Sequence, residues 1–179
     1  MKHIVSVSGG VGSYFTLKRV LEKNNKEDVV AVFMDTLAED GDLYRFLGDI
    51  ERKLDIKIIR LCVGKTPIEL AFEKKYLWNS RVAQCSIKLK SKPFREWLNS
   101  TYKPSECILY LGIDWTETHR KDAIIRNYKP YEVEFPMCEK PYLDKNEMVE
   151  LLKQECIEIP RLYKLGFAHN NCKGCCVKA

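Results

Sequence analysis

Ser8-Gly9-Gly10-Val11-Gly12-Ser13 is the stretch whose residue types point most directly to chemistry. Three glycines and two serines between an apolar run and a segment of helical period let main-chain N–H groups close around a phosphate at the start of a helix. A tight strand-to-helix turn without a ligand has the same composition, because glycine also serves backbone conformation alone. The stretch is not a Walker A loop. Gly64-Lys65-Thr66 holds only the second half of that motif, with Ile59 where its first glycine belongs. The dinucleotide fingerprint also fails, since Phe15 stands where a third glycine should follow Gly10 and Gly12. Two more polar segments follow apolar runs. Asp35-Thr36 can reach a nucleoside beside the first loop, although Thr36 equally suits a helix cap. In the segment from Gly112 to Glu117, with Arg120 beyond, Asp114 and Glu117 can hold a metal or orient a ribose, and the arginine can neutralise phosphate charge. An ion pair at a helix start would account for Glu117 as well.

The eight cysteines form two groups. Cys62, Cys107, Cys138 and Cys156 are isolated and read as inert small hydrophobes. Cys172, Cys175 and Cys176 crowd around Gly174 near His169, a bite that suits zinc or an iron–sulfur cluster but lacks enough ligands alone. Cys85, in a polar stretch before a helix, is the expected partner. Three thiolates can hold three irons of a four-iron cluster, whereas zinc would take His169 or the spare cysteine as a fourth ligand. A reduced tail without metal is the alternative. Lys88, Lys90, Lys92 and Arg95 read either as a solvated helix face or as a grip on phosphate or a nucleic-acid backbone. His3 reads as structural.

These residues need elements to hold them. Nearly continuous apolar runs at Ile4 to Val7, Val29 to Met34, Ile56 to Leu61, Ile108 to Leu111 and, more weakly, Tyr131 to Phe135 are strands of a parallel sheet covered on both faces. Tyr14, Leu17, Val20 and Leu21 keep helical spacing after a Ser13 cap, and Leu43, Phe46, Leu47, Ile50 and Leu54 make a helical stripe. Asp144 and Glu147 form a capping box for a helix over Lys145 to Gln154. The order is βαβαβ, a helical middle from Thr66 to Ser100, then βαβα and a Cys-rich tail. In such a sheet ligands bind outside the carboxyl ends of the strands, so the three polar segments should face one cleft. With 179 residues, 45% of them hydrophobic, the chain is expected to form a single domain over 1–179. No apolar run approaches the roughly 20 residues of a membrane span. Met1 leads straight into a strand, so a cytoplasmic protein is expected. The net charge of +5 is compatible with an anionic ligand but far from what nucleic-acid binding alone would require.

The pattern strand, Ser8 to Ser13, helix, strand, Asp35-Thr36 resembles the pyrophosphate-loop (PP-loop) proteins of the adenine-nucleotide alpha-hydrolase superfamily. The closer likeness is to phosphoadenosine phosphosulfate (PAPS) reductase-like proteins. There an Arg-x-x-x-Cys segment with a Lys-rich run and Pro resembles Arg81 to Pro93, Gly-x-x-x-x-Glu-x-x-Arg resembles Gly112 to Arg120, and Leu-Tyr-x-x-Gly-Phe with cysteines resembles Leu162 to Cys176. The resemblance implies a Rossmann-like (HUP-type) three-layer α/β sandwich with a mostly parallel five-stranded sheet. It implies ATP or a related adenine nucleotide with Mg2+, bound by Ser6, the Ser8 to Ser13 loop, Asp35, Thr36, Lys88 and Gly112, with Asp114, Glu117 and Arg120 as catalytic candidates. Cys85, Cys172, Cys175 and Cys176 would hold an iron–sulfur cluster or zinc. An unidentified sulfur donor or reductant, a tRNA or DNA acceptor and a homodimer are the partners such relatives suggest. Two departures stand out: Gly12 replaces the usual loop aspartate, and the reductase's Glu-Cys-Gly-Leu-His motif is absent. A sulfur-transferring enzyme acting at the alpha-phosphate is the leading expectation. An ATP pyrophosphatase with structural zinc and a non-catalytic nucleotide-binding module are the alternatives.

Overall fold

The computed structural model describes residues 1–76 and 83–174. Its centre is β1 (Lys2–Val7), which pairs in parallel with β2 (Val29–Asp35) on one side and β4 (Cys107–Leu111) on the other, His3 standing opposite both Val29 and Ile108. β3 (Ile58–Cys62) and the short β5 (Glu132–Glu134) form the edges, so the order is β3-β2-β1-β4-β5 and every pairing is parallel. The runs expected from Ile56 and from Tyr131 to Phe135 are thus trimmed to their paired residues.

Strand side chains alternate between two cores, which is why the runs carry almost no polar residue. Val5, Val7, Ala31 and Phe33 pack against α1 (Val11–Lys23), α2 (Gly41–Leu54) and α6 (Lys145–Gln154) through Leu17, Phe46 and Leu152. Ile4, Val32, Met34 and Leu109 face the other way, against Phe94 and Leu98 of α4 (Lys92–Thr101), with Tyr128 of α5 (Lys121–Tyr128) beside them. Each fully buried side chain of this size contributes about 1.5–3 kcal/mol. The stripe on α2 buries Leu43, Phe46, Leu47 and Ile50 as its spacing requires. α6 begins at the expected box, with Asp144 and Glu147 each bonding the other's backbone amide.

Three start signals resolve differently. α1 is capped by Gly10, and the Ser13 hydroxyl turns back to the Gly10 carbonyl at 2.7 Å. α2 is capped by Asp40 and not by Thr36. Thr66, in the segment that mimics half a Walker motif, caps α3 (Pro67–Lys74) in a capping box with Glu69. A run of π-helix, Ser86–Ser91, leads into α4, and α7 (Arg161–Lys164) follows α6. Cys175, Cys176 and Arg81 lie outside the described residues. Among the described residues, no helix is long and apolar enough to cross a membrane.

Candidate functional site

Helix α1 leaves β1 toward one face of the sheet, while the chain after β4 leads to α5 on the other, and a crevice opens where the two diverge. The turn after β1 is built for close approach. Gly9 has φ +79°, and a Cβ there would stand 2.7 Å from Leu43 Cγ, so neither backbone nor space admits a side chain. Gly112, at the end of β4, sits against the first turn of α1: a Cβ would lie 3.1 Å from Thr16 Oγ1 and 3.5 Å from the Ser13 nitrogen. The N-terminus of α1 has neither a side-chain cap nor an acidic residue in its first turn. Its partial positive charge is therefore left for an anion. Gly12 is different in kind, with open space around its added Cβ.

The crevice encloses about 740 Å³. Phe33, Met34, Leu111 and Ile113 supply an apolar floor, and Ser6, Ser8 and Ser13 line the end under α1. Lys90, Lys92, Arg95, Arg120 and His169 stand along the walls, where Glu117 is the acidic lining residue and pairs with Arg120 at 2.5 Å. An apolar slot with a serine-lined end and cationic walls suits a nucleotide.

The two expected second-strand residues stand apart from this lining. The Asp35 carboxylate is buried and accepts from the Leu37 amide at 2.8 Å, the Tyr44 hydroxyl at 2.9 Å and the Arg60 guanidinium, which also stacks 4.5 Å from the Tyr44 ring centre. Burial, then the bond to Asp35, pushes the Tyr44 hydroxyl up to about 12. Asp35 thus ties β2 to β3. The Thr36 hydroxyl donates to buried Glu39 at 3.0 Å. Asp114 caps the 3-10 turn Trp115–Arg120, accepting from the Thr116 amide and hydroxyl at 2.8 and 2.5 Å. Lys88 is exposed, and the lysine of its run that turns inward is Lys90.

Glu39 is the residue the sequence reading missed. Its buried carboxylate accepts from Thr36, from the Lys90 ammonium at 2.9 Å and from the Cys172 amide at 2.8 Å. Burial works to lower the Lys90 pKa, but the Glu39 charge and hydrogen bond, with Cys172 and Cys85 nearby, outweigh it and raise it. One carboxylate so gathers the segment after Cys85 and the turn that bears Cys172. Among the described residues, no group of three or more histidine, cysteine or acidic side chains could hold a metal. Of the isolated thiols, burial pushes Cys107 and Cys138 up, as inert cysteines require, whereas Cys62 and Cys156 are exposed. His3 bonds the Tyr110 hydroxyl at 2.9 Å, a structural contact.

The segment after α6 crosses back over the loop. Arg161 bonds Asp40 at 2.5 Å, and the Asn170 side-chain nitrogen donates to the Gly9 carbonyl at 2.7 Å. Asn170 is 4% exposed, and its Oδ1 has no partner among the described residues.

This arrangement defines a doubly wound α/β domain with a crevice at its switch point. Residues 2–176 match the phosphoadenosine phosphosulfate reductase domain, and the chain belongs to that family, which ties it to sulfur-related nucleotide binding. Among solved structures, the phosphate complex of PAPS reductase from Candida auris is similar in fold, with a TM-score of 0.65 and 13% identity over 93% of this chain and 79% of that one. An uncharacterised protein of Methanocaldococcus jannaschii is 26% identical over 96% of this chain. The match covers 35% of that protein, so the chain spans about a third of the length of this curated relative.

Proposed function

We propose that the chain is an enzyme that binds an adenine nucleotide with its phosphates on the Ser8 to Ser13 loop, acts at the alpha-phosphate and serves sulfur transfer. The observation that carries this reading is the uncapped, acid-free start of α1 opening onto a crevice with an apolar floor and cationic walls. In the reaction, an acceptor oxygen attacks the alpha-phosphate and pyrophosphate leaves. A sulfide-level sulfur nucleophile then displaces AMP from the adenylated acceptor and stays on the carbon that carried the oxygen. The start of α1 faces the charge that develops on the phosphates, with the Arg120–Glu117 and Lys90–Glu39 pairs beside it. Asn170 Oδ1, buried beside the loop, suits a donor group of the ligand.

The soft donors fit a sulfur-bearing centre in part. Cys85 and Cys172 both lie close enough to Lys90 to act on its charge, and Cys175 with Cys176 would complete the set. A cluster held there would supply an open iron for sulfur, and zinc would supply a fixed turn. The loop offers Mg2+ no protein carboxylate: Gly12 stands in it, Asp35 and Glu39 are bonded elsewhere, and Glu117 is paired.

Anaerobic purification with iron, zinc and sulfide analysis and a visible spectrum tests the sulfur half. A brown protein whose iron falls by more than half in Cys85→Ser is expected. Metal-free protein, with Cys85→Ser indistinguishable from it, would sink that half. The open space at Gly12 favours a second reading, a nucleotide-binding module or hydrolase with structural zinc. Colourless zinc protein that releases pyrophosphate from ATP without an acceptor would establish the hydrolase, and tight binding without turnover the module.

A further inference from the structure

Tyr163, on the short α7, brings a hydroxyl to the phosphate loop that the reading above does not use. Its oxygen lies 3.1 Å from where a Cβ on Gly10 would stand. The backbone amides of Val11 and Asn170 face that oxygen. The ring is held in place: it packs partly into the core under α1 and α2, and the Lys145 ammonium sits 4.3 Å over it while donating to the Ala168 carbonyl at 2.5 Å. The Asn170 side chain, bonded to the Gly9 carbonyl, fixes the other end of the segment on the same turn. Three consecutive loop residues, Gly9, Gly10 and Val11, are thereby touched by a segment some 150 residues away along the chain.

A phenol oxygen turned toward backbone N–H groups keeps its own O–H to give. Burial holds the phenol in its protonated form. Among the described residues, none accepts a hydrogen bond from this O–H. The tyrosine proton is therefore left for whatever acceptor occupies the loop beside Gly10. Phosphate oxygens are acceptors only.

We infer that Tyr163 is a nucleotide-binding residue, a side-chain extension of the backbone cradle whose hydroxyl, standing beside Gly10, donates to a phosphate oxygen held on the loop. The inference rests on the nucleotide reading of the loop and adds to it a specific donor from the C-terminal segment. It also gives that segment a reason to cross the loop, since the hydroxyl bridges the two through the ligand.

Titration calorimetry of the wild-type chain and Tyr163→Phe, each with ATP and with adenosine, tests it. The variant keeps the ring and its packing, so melting temperature and adenosine affinity should match the wild type. The ATP dissociation constant should rise about ten- to a hundredfold, the loss expected for one hydrogen bond to a charged group. Unchanged or tighter ATP binding would mean that the hydroxyl is idle or occludes the loop, and would overturn the inference alone. An equal loss for ATP and adenosine would show a structural role and overturn it too. If the wild type binds ATP no better than adenosine, or neither, the phosphate-loop reading fails and the inference with it.

Discussion

Gly10 and Gly12 lie two residues apart in one turn and have opposite reasons to be glycine. At Gly10 the neighbour is the Tyr163 hydroxyl, so Gly10→Val presses a branched side chain into the space where phosphate and tyrosine meet. ATP binding should fall more than a hundredfold in calorimetry while the circular dichroism spectrum is kept, and unchanged affinity would mean that the loop is only a turn. At Gly12 nothing lies within 4 Å, so an aspartate there has room. Placed in the first turn of α1, its charge should stabilise the ligand-free protein by about 0.3–1 kcal/mol through the helix dipole. The same charge should weaken ATP binding in the absence of divalent cation and make it depend on Mg2+. Thermal melts and titrations of Gly12→Asp with and without EDTA check both halves, and an affinity indifferent to Mg2+ would detach the missing carboxylate from metal chemistry.

Helices are joined across the site by a few buried or half-buried charges, and these can be tested without a ligand. Glu155, at the end of α6, accepts from Lys18 at 2.7 Å and from the Tyr14 hydroxyl, both on α1. Burial works to raise its pKa, but the two hydrogen bonds outweigh it and hold the carboxyl below its ordinary 4.5. A carboxyl depressed in the folded state stabilises fully above its unfolded value, and that contribution disappears as pH falls through the folded one. Glu155→Gln should therefore lose about 1 kcal/mol or less at pH 7, since the pair is partly solvated, and show a flatter stability curve than the wild type below pH 4.5. Parallel acid-melting curves for the two proteins would refute the assignment. The elements themselves were legible because their signals are local: the α2 stripe and the Asp144–Glu147 box lie within twelve consecutive residues or fewer. What joins them was not. Glu39 finds Lys90 51 residues on and Cys172 133 residues on, and neither partner leaves a mark near Glu39 in the chain. Asp35 misled for the same reason, since its type and strand-end position suit a ribose while Arg60, on the next strand, engages it.

Across the whole molecule the net charge of +5 is modest, yet its placement is uneven. Lys90, Lys92, Arg95 and Arg120 surround a crevice in which Glu117 is the acidic lining residue, and Arg120 already offsets it. Lys90 is likewise offset by Glu39, so the charge left to act on an approaching anion is chiefly that of Lys92 and Arg95. Lys92 reaches Glu96 at 3.5 Å with both side chains well exposed, a pair too solvated to cancel it, and the Arg95 guanidinium lies 5.7 Å from the Tyr128 ring centre. Charges at a crevice mouth raise the rate of encounter more than they slow departure. Replacing both with alanine should reduce the association rate for ATP several-fold at low salt, and the difference should vanish near 1 M salt, where the screening length is about 3 Å. Stopped-flow measurements across that salt range would decide the matter. A dissociation rate that rises while association is unchanged would mean that the two side chains grip the bound nucleotide, moving them from the rim of the site into its contact surface.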